Sequence, residues 1–151
     1  DKAEGLLWIG TFNHGIKIWD LAGEEFLTLP CLSSLPSSPV KAIRPWKGDT
    51  FLVGFDGQGV WAVDIVSGHC QQILSNSDRH GRILKGNGVY DILVDGNNIL
   101  VATYTSGVTL VYEHRNFEWL RHLPNDDQSV KVSHIYAIHE DRDGDLWLAT
   151  N

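Results

Sequence analysis

Short apolar runs separated by polar, glycine-containing turns make up nearly all of the chain, and no segment carries an apolar stripe of period 3.6 long enough for a helix. Leu7-Trp8-Ile9-Gly10-Thr11 recurs as Phe51-Leu52-Val53-Gly54-Phe55, Ile99-Leu100-Val101-Ala102-Thr103 and Leu146-Trp147-Leu148-Ala149-Thr150, with starts 44, 48 and 47 residues apart. After each of the first three copies a glycine (Gly15, Gly59, Gly107) opens an alternating run. Before each of the last three lies a β-forming run: Val40-Lys41-Ala42-Ile43, Val89-Tyr90-Asp91-Ile92 and Ile135-Tyr136-Ala137-Ile138. Turn-like stretches at 46–49, 95–98 and 141–145 join each such run to the copy after it, which predicts hairpins. A weaker fourth strand is expected near 26–29, 70–74 and 117–123.

Four short antiparallel strands recurring every 44 to 48 residues are the signature of a β-propeller blade. The fold class expected is therefore all-β: a propeller segment of four-stranded antiparallel blades, about three repeats long and an incomplete ring. The boundaries expected are a partial blade over 1–39, blades over 40–88 and 89–134, and a partial blade over 135–151. The second strand of each blade is nearly all apolar because neighbouring blades cover both its faces, whereas the third alternates. Gly10, Gly54 and Ala102 leave room at one position of that second strand, where sheets stacked about 10 Å apart would otherwise collide. Trp8 and Trp147, on the same strand, are expected to pack between blades. Because propellers close rings of four to eight blades, the end sheets call for further blades, from a longer chain or from another copy.

Composition narrows the class. With 42% hydrophobic and 21% charged residues the 151-residue chain is globular, and a net charge of -7 is the wrong sign for neutralising phosphates, so nucleic acid is not an expected partner. No apolar run approaches the ~20 residues needed to span a bilayer, and no membrane contact by this segment is expected. The absence of methionine suggests a processed product or a piece of a longer chain. Cys31 and Cys70 fit neither a zinc spacing nor a CxxC pair. A disulfide between them is neither required nor excluded, and both are read as packing residues.

The final stretch is the most distinctive. Leu123-Pro124-Asn125-Asp126-Asp127-Gln128-Ser129, followed by Ile135-Tyr136-Ala137-Ile138-His139-Glu140-Asp141-Arg142-Asp143-Gly144-Asp145-Leu146-Trp147-Leu148-Ala149-Thr150, resembles the two-component-regulator propeller repeat. Glu4-Gly5-Leu6-Leu7-Trp8-Ile9-Gly10-Thr11 is similar to the same pattern, while the middle copies lack its tryptophan. The resemblance implies a periplasmic sensor region, the extracytoplasmic part of an inner-membrane hybrid two-component protein, that binds oligosaccharide fragments and signals to a histidine kinase. It implies no catalytic activity in this segment and no cofactor.

Other chemistries fit the residues less well. Asp141, Asp143 and Asp145 alternate around Gly144, but an EF-hand needs flanking helices, further residues and a terminal Glu, so a solvated hairpin turn is expected there and no metal. No His-Glu-x-x-His occurs, the serines of Leu35-Pro36-Ser37-Ser38-Pro39 lack a nucleophile frame, and Gly54-Phe55-Asp56-Gly57-Gln58-Gly59 lies between strands without the helix N-terminus a phosphate needs. The connections at 30–39, 75–88 and 124–133 and the second-to-third-strand turns should converge on one face of the scaffold. There the amide, carboxylate, hydroxyl and aromatic groups suited to a sugar single out Asn13, His14, Arg44, Asp56, Gln58, Tyr90, Tyr104 and Tyr136. Two alternatives stay open: a propeller enzyme acting on glycans, for which no acid and base pair can be named, and a protein-binding scaffold using the same loops.

Overall fold

Each apolar run becomes a strand, and each strand pairs with its neighbour in sequence. The computed structural model describes residues 5–76, 83–112 and 116–151; Glu4 and the centre of the 75–88 connection lie outside them. The first sheet is β1 (Leu6–Gly10), β2 (Ile16–Asp20) and β3 (Glu25–Phe26). The second is β4 (Val40–Pro45), β5 (Thr50–Phe55), β6 (Gly59–Asp64) and β7 (Cys70–Leu74). The third is β8 (Val89–Asp95), β9 (Asn98–Thr103), β10 (Gly107–Tyr112) and β11 (Asn116–Leu120), and the fourth is the hairpin β12 (Ile135–Glu140) and β13 (Leu146–Thr150). Every pairing is antiparallel between consecutive strands, so each sheet is a meander, and the chain is a β-propeller segment.

The sheets stack side by side: β1, which corresponds to a second strand, lies against β4, and the inner strands follow one another, β4 against β8 and β8 against β12. The hydrophobic core is correspondingly divided into the interfaces between sheets. Along β5, Val53 and Phe55 join Ile16 of the first sheet, while Leu52 joins Val89, Ile92 and Val101 of the third. Along β9, Leu100 and Ala102 turn the other way, to Ile135 and Ile138 of the fourth. The period-2 alternation of a strand thus serves two interfaces at once, which is why β5 and β9 are apolar almost throughout.

Close approach at these interfaces depends on the small residues anticipated in the second strand. A Cβ added at Gly10 would sit 2.8 Å from Val40 Cγ1, and one at Gly54 only 2.6 Å from Val89 Cγ1. In both cases the neighbour is the first residue of the next sheet's inner strand. Ala102 and Ile135 occupy the corresponding places in the third interface. Trp8 stacks on Phe51 across the first interface with ring centroids 4.1 Å apart. Its counterpart Trp147 is 64% exposed, so the expected inter-blade packing of that ring is not formed within this chain.

Three differences from the sequence reading have physical causes. In the three-stranded first sheet, β3, which takes the place of the repeat's fourth strand, differs from the expected 26–29: only Glu25–Phe26 forms, and the chain leaves for a 3-10 helix at Pro30–Ser34. Clean alternation in the third strand holds in β2, where Lys17 is exposed between Ile16 and Ile18. In β6 and β10, sheets on both sides bury consecutive residues instead. Finally, Cys31 and Cys70 are not merely packing residues. They form a disulfide, with Cα atoms 5.4 Å apart, that pins the 3-10 helix to the edge strand β7. Closing a loop across 39 residues of sequence is worth about 4 kcal/mol in the chain-entropy picture.

The interface geometry gives a direct test. Gly54→Ala is expected to destabilise the fold by about 1–3 kcal/mol in chemical denaturation, because the added methyl meets Val89 in a packed interface. Gly57→Ala, with open space around its Cβ but a positive φ of 83°, is expected to cost only the smaller backbone strain, about 1 kcal/mol.

Candidate functional site

The inner strands β4, β8 and β12 share an irregularity that the sequence pattern does not announce. In each, the register against the second strand slips by one residue: between Val40 and Ala42, between Val89 and Asp91, and between Ile135 and Ala137. The extra residues left without a cross-strand partner are Lys41, Tyr90 and Tyr136. A bulge of this kind bends the strand and re-aims the extra side chain, and it recurs near the start of the inner strand in three successive sheets.

These side chains meet. Lys41 Nζ stands 4.7 Å above the Tyr90 ring, and Tyr90 packs edge to face on Tyr136 at 5.5 Å. Tyr104, just beyond β9, stacks on Tyr90 at 5.3 Å and on His134 at 4.9 Å, and lies 6.2 Å from Tyr136. Tyr104 and Tyr136 are 41% and 39% exposed, so the cluster offers ring surface to solvent rather than closing on itself. Burial, then the charge of Asp56, then Tyr104 raise the Tyr90 phenol above the ordinary tyrosine value. A neutral phenol there can both donate and accept a hydrogen bond.

The turn that carries Tyr104 is held by a threonine. Thr103 Oγ1 donates to the Gly107 carbonyl at 3.0 Å and accepts from Ser106 N at 3.1 Å. Thr11 does the same in the first sheet, donating to the Gly15 carbonyl at 2.7 Å and accepting from His14 N at 2.9 Å. Gly59 and Gly107, which open the third strands, adopt positive φ of 68° and 76°. A side chain at either position would run into the carbonyl of the outer strand, Leu74 or Leu120.

Of the eight residues chosen from sequence, the structure brings Tyr90, Tyr104 and Tyr136 into one cluster, with Asp56 beside it: its Oδ1 lies 3.3 Å from where a Cβ on Gly88 would be. Arg44 instead reaches Asp91, its Nη2 donating to Oδ1 at 2.7 Å. Gln58 contributes its carbonyl, which accepts from Trp61 Nε1 at 3.2 Å and Gln72 Nε2 at 2.9 Å. Asn13 and His14 lie in the turn after β1, and His14 borders a separate open groove of about 610 Å³ with Phe26, Leu29, Leu32 and Ser37. Among the described residues none of these four hydrogen-bonds to the rings or stacks on them.

Sequence reasoning passed over Lys41 and His134. Lys41 was accessible, since the three inner-strand runs align it with Tyr90 and Tyr136. His134 precedes its strand and carries no repeat signal.

The acidic turn at 141–145 is occupied by its own hairpin. Asp141 Oδ1 accepts from Asp143 N and Asp145 N, each at 3.0 Å, and Oδ2 accepts from Trp147 Nε1 at 2.7 Å. The Trp147 hydrogen bond, followed by that from Asp145 N, holds the Asp141 carboxyl below its ordinary value. A carboxyl whose folded pKa is depressed supports the structure above its unfolded pKa and loses that support as pH falls through the folded value. The β12–β13 turn is therefore expected to be unchanged from pH 7 to 5 and to loosen below about pH 4. Trp147 fluorescence with amide exchange at Asp143 and Asp145 reads this, and Asp141→Asn is expected to flatten the transition.

Comparison with known proteins agrees with this architecture. Residues 129–151 match the family described as two component regulator propeller. No curated protein sequence matches the chain. Among solved structures, the extracellular domain of BT4673 from B. thetaiotaomicron, named as a hybrid two component system, superposes with a TM-score of 0.72 at 20% identity, over 96% of this chain and 19% of that one. The chain thus spans about a fifth of the length of that domain. The β-propeller domain of Cps50 from Myceliophteria thermophila matches with a TM-score of 0.65 at 17% identity, over 98% of this chain and 46% of that one. The computationally designed Ika4 protein matches with a TM-score of 0.60 at 16% identity, over 97% of this chain and 85% of that one.

Proposed function

We propose that this chain is part of an extracytoplasmic sensor propeller, and that the cluster of Tyr90, Tyr104, Tyr136 and His134, with Lys41 and Asp56 at its edge, binds a carbohydrate-type ligand. The observation that carries the reading is the repeated bulge. Three successive inner strands each give up one regular pairing, and the side chains released converge on a partly exposed aromatic surface. Exposed rings flanked by a cation, a carboxylate and phenol hydroxyls suit a sugar, whose C–H faces lie on aromatic rings while its hydroxyls take hydrogen bonds.

Other observations point the same way. The repeat at 129–151 is of the two-component-regulator type, and the chain is similar in fold to an extracellular domain named as part of such a system. The Cys31–Cys70 disulfide belongs with an oxidising, extracytoplasmic compartment. Among the described residues no helix is long and apolar enough to cross a membrane. The remaining blades of the ring would cover the end sheets, and a histidine kinase downstream would receive the signal. Because Lys41, Tyr90 and Tyr136 stand on three different sheets, a ligand touching all of them favours one relative placement of those sheets, and a shift in that population is the signal passed on.

The test is a broad panel of neutral and acidic oligosaccharides screened by thermal shift and calorimetry against the full chain. At least one glycan is expected to raise the melting temperature, and Tyr136→Ala and Tyr90→Ala to weaken its binding by roughly tenfold or more, the scale of losing one buried aromatic anchor. A panel with no binder, or a binder indifferent to both substitutions, contradicts the reading.

A further inference from the structure

Asp91 stands where the repeat otherwise carries alanine. Ala42 and Ala137 hold the corresponding place in β4 and β12, each directly after the bulge residue. The blade therefore forms without a carboxylate at this position. Yet Asp91 is only 8% exposed, and a buried carboxylate is costly unless it is paired and hydrogen-bonded. Its partners come from both sides. Oδ1 accepts from Arg44 Nη2 of β4 at 2.7 Å and from Ile92 N at 2.8 Å, while Oδ2 accepts from Ile138 N of β12 at 3.0 Å. One side chain thus fastens three successive inner strands together, beside Tyr90 and two residues from Tyr136 along β12.

We propose that Asp91 is a positioning residue for the aromatic cluster: by holding Arg44 of β4 and the Ile138 amide of β12, it sets the spacing at which Lys41, Tyr90 and Tyr136 face a ligand. The inference rests on the reading of that cluster as the binding site. The chemistry is specific to a carboxylate, which accepts hydrogen bonds on both oxygens. An asparagine would turn its amide N–H groups toward either the Arg44 guanidinium or the Ile138 N–H, so it can serve only one of the two strands.

The experiment needs no ligand, so its outcome is separate from that of the glycan panel. With ring-labelled ¹³C-tyrosine, NMR resolves the titration of each of the four tyrosine phenols in the full chain. In the unaltered protein Tyr90 is expected to titrate above the ordinary value because of burial, Asp56 and Tyr104, and Tyr112 to do so through its hydrogen bond to Glu118. Asp91→Ala installs the residue found at positions 42 and 137 and is expected to fold. In that variant Tyr90 is expected to move down toward the ordinary tyrosine value, and exchange of the Ile138 amide to quicken by about tenfold or more, with Tyr112 unmoved. Folded Asp91→Ala with Tyr90 titrating as before would overturn the proposal, since it would leave Asp91 a structural role alone. Should Asp91→Ala fail to fold, Arg44→Met, which removes one arm of the bridge, decides. A partial downward movement of Tyr90 supports the proposal and an unmoved Tyr90 overturns it.

Discussion

The separation between stacked sheets governs this molecule. Each second strand carries a glycine or alanine (Gly10, Gly54, Ala102) where the first residue of the next sheet's inner strand (Val40, Val89, Ile135) comes to rest. With no Cβ in the way at Gly54, the branched side chain of Val89 sits in the space, and Leu52 on the same strand face meets Val89, Ile92 and Val101 as one core. The interfaces are the hydrophobic core, so the position of every inner strand follows from them. Anything carried on those strands inherits the precision of that packing.

What the inner strands carry is the exception to their own regularity. A bulge sacrifices a ladder pairing, and a single one could be an accident of a sheet edge. Three in equivalent places, each releasing a residue that meets the next, make a surface assembled across sheets. No one sheet contains it: Lys41 comes from the second, Tyr90 and Tyr104 from the third, and His134 and Tyr136 from the fourth hairpin and its approach. If a ligand binds this surface, as proposed, its occupancy would depend on the relative placement of the sheets and would report on it. The Asp91 bridge fits the same picture, because it is the one buried carboxylate among the described residues and it spans the same three strands.

Much of this was legible in the sequence because the repeat states the same solution several times. Strand order, hairpin positions and the small residue of the second strand all followed from the 44-to-48-residue period. Tyr90, Tyr104 and Tyr136, which the structure gathers into one cluster, were chosen from sequence because they stand at strand ends and turns. Lys41 aligns with Tyr90 and Tyr136 but was passed over, because the register slip between Val40 and Ala42 that singles out this position is a property of pairing with β5. The disulfide was undetermined for a related reason. Cys31 sits in a connection of variable length, and only the fold brings it to Cys70. Trp147 matches Trp8 in sequence but not in environment, since Trp8 has Phe51 to rest on while Trp147 bonds to Asp141 on its own hairpin.

The residues released by the bulges form the proposed ligand surface. Chemical-shift mapping of ring-labelled tyrosines during titration with an oligosaccharide that binds the full chain tests it most directly. Tyr90, Tyr104 and Tyr136 are expected to move together and saturate at one affinity, while Tyr112, placed at the end of β10 and bonded to Glu118, stays still. Saturable binding that leaves all three rings unmoved would contradict it.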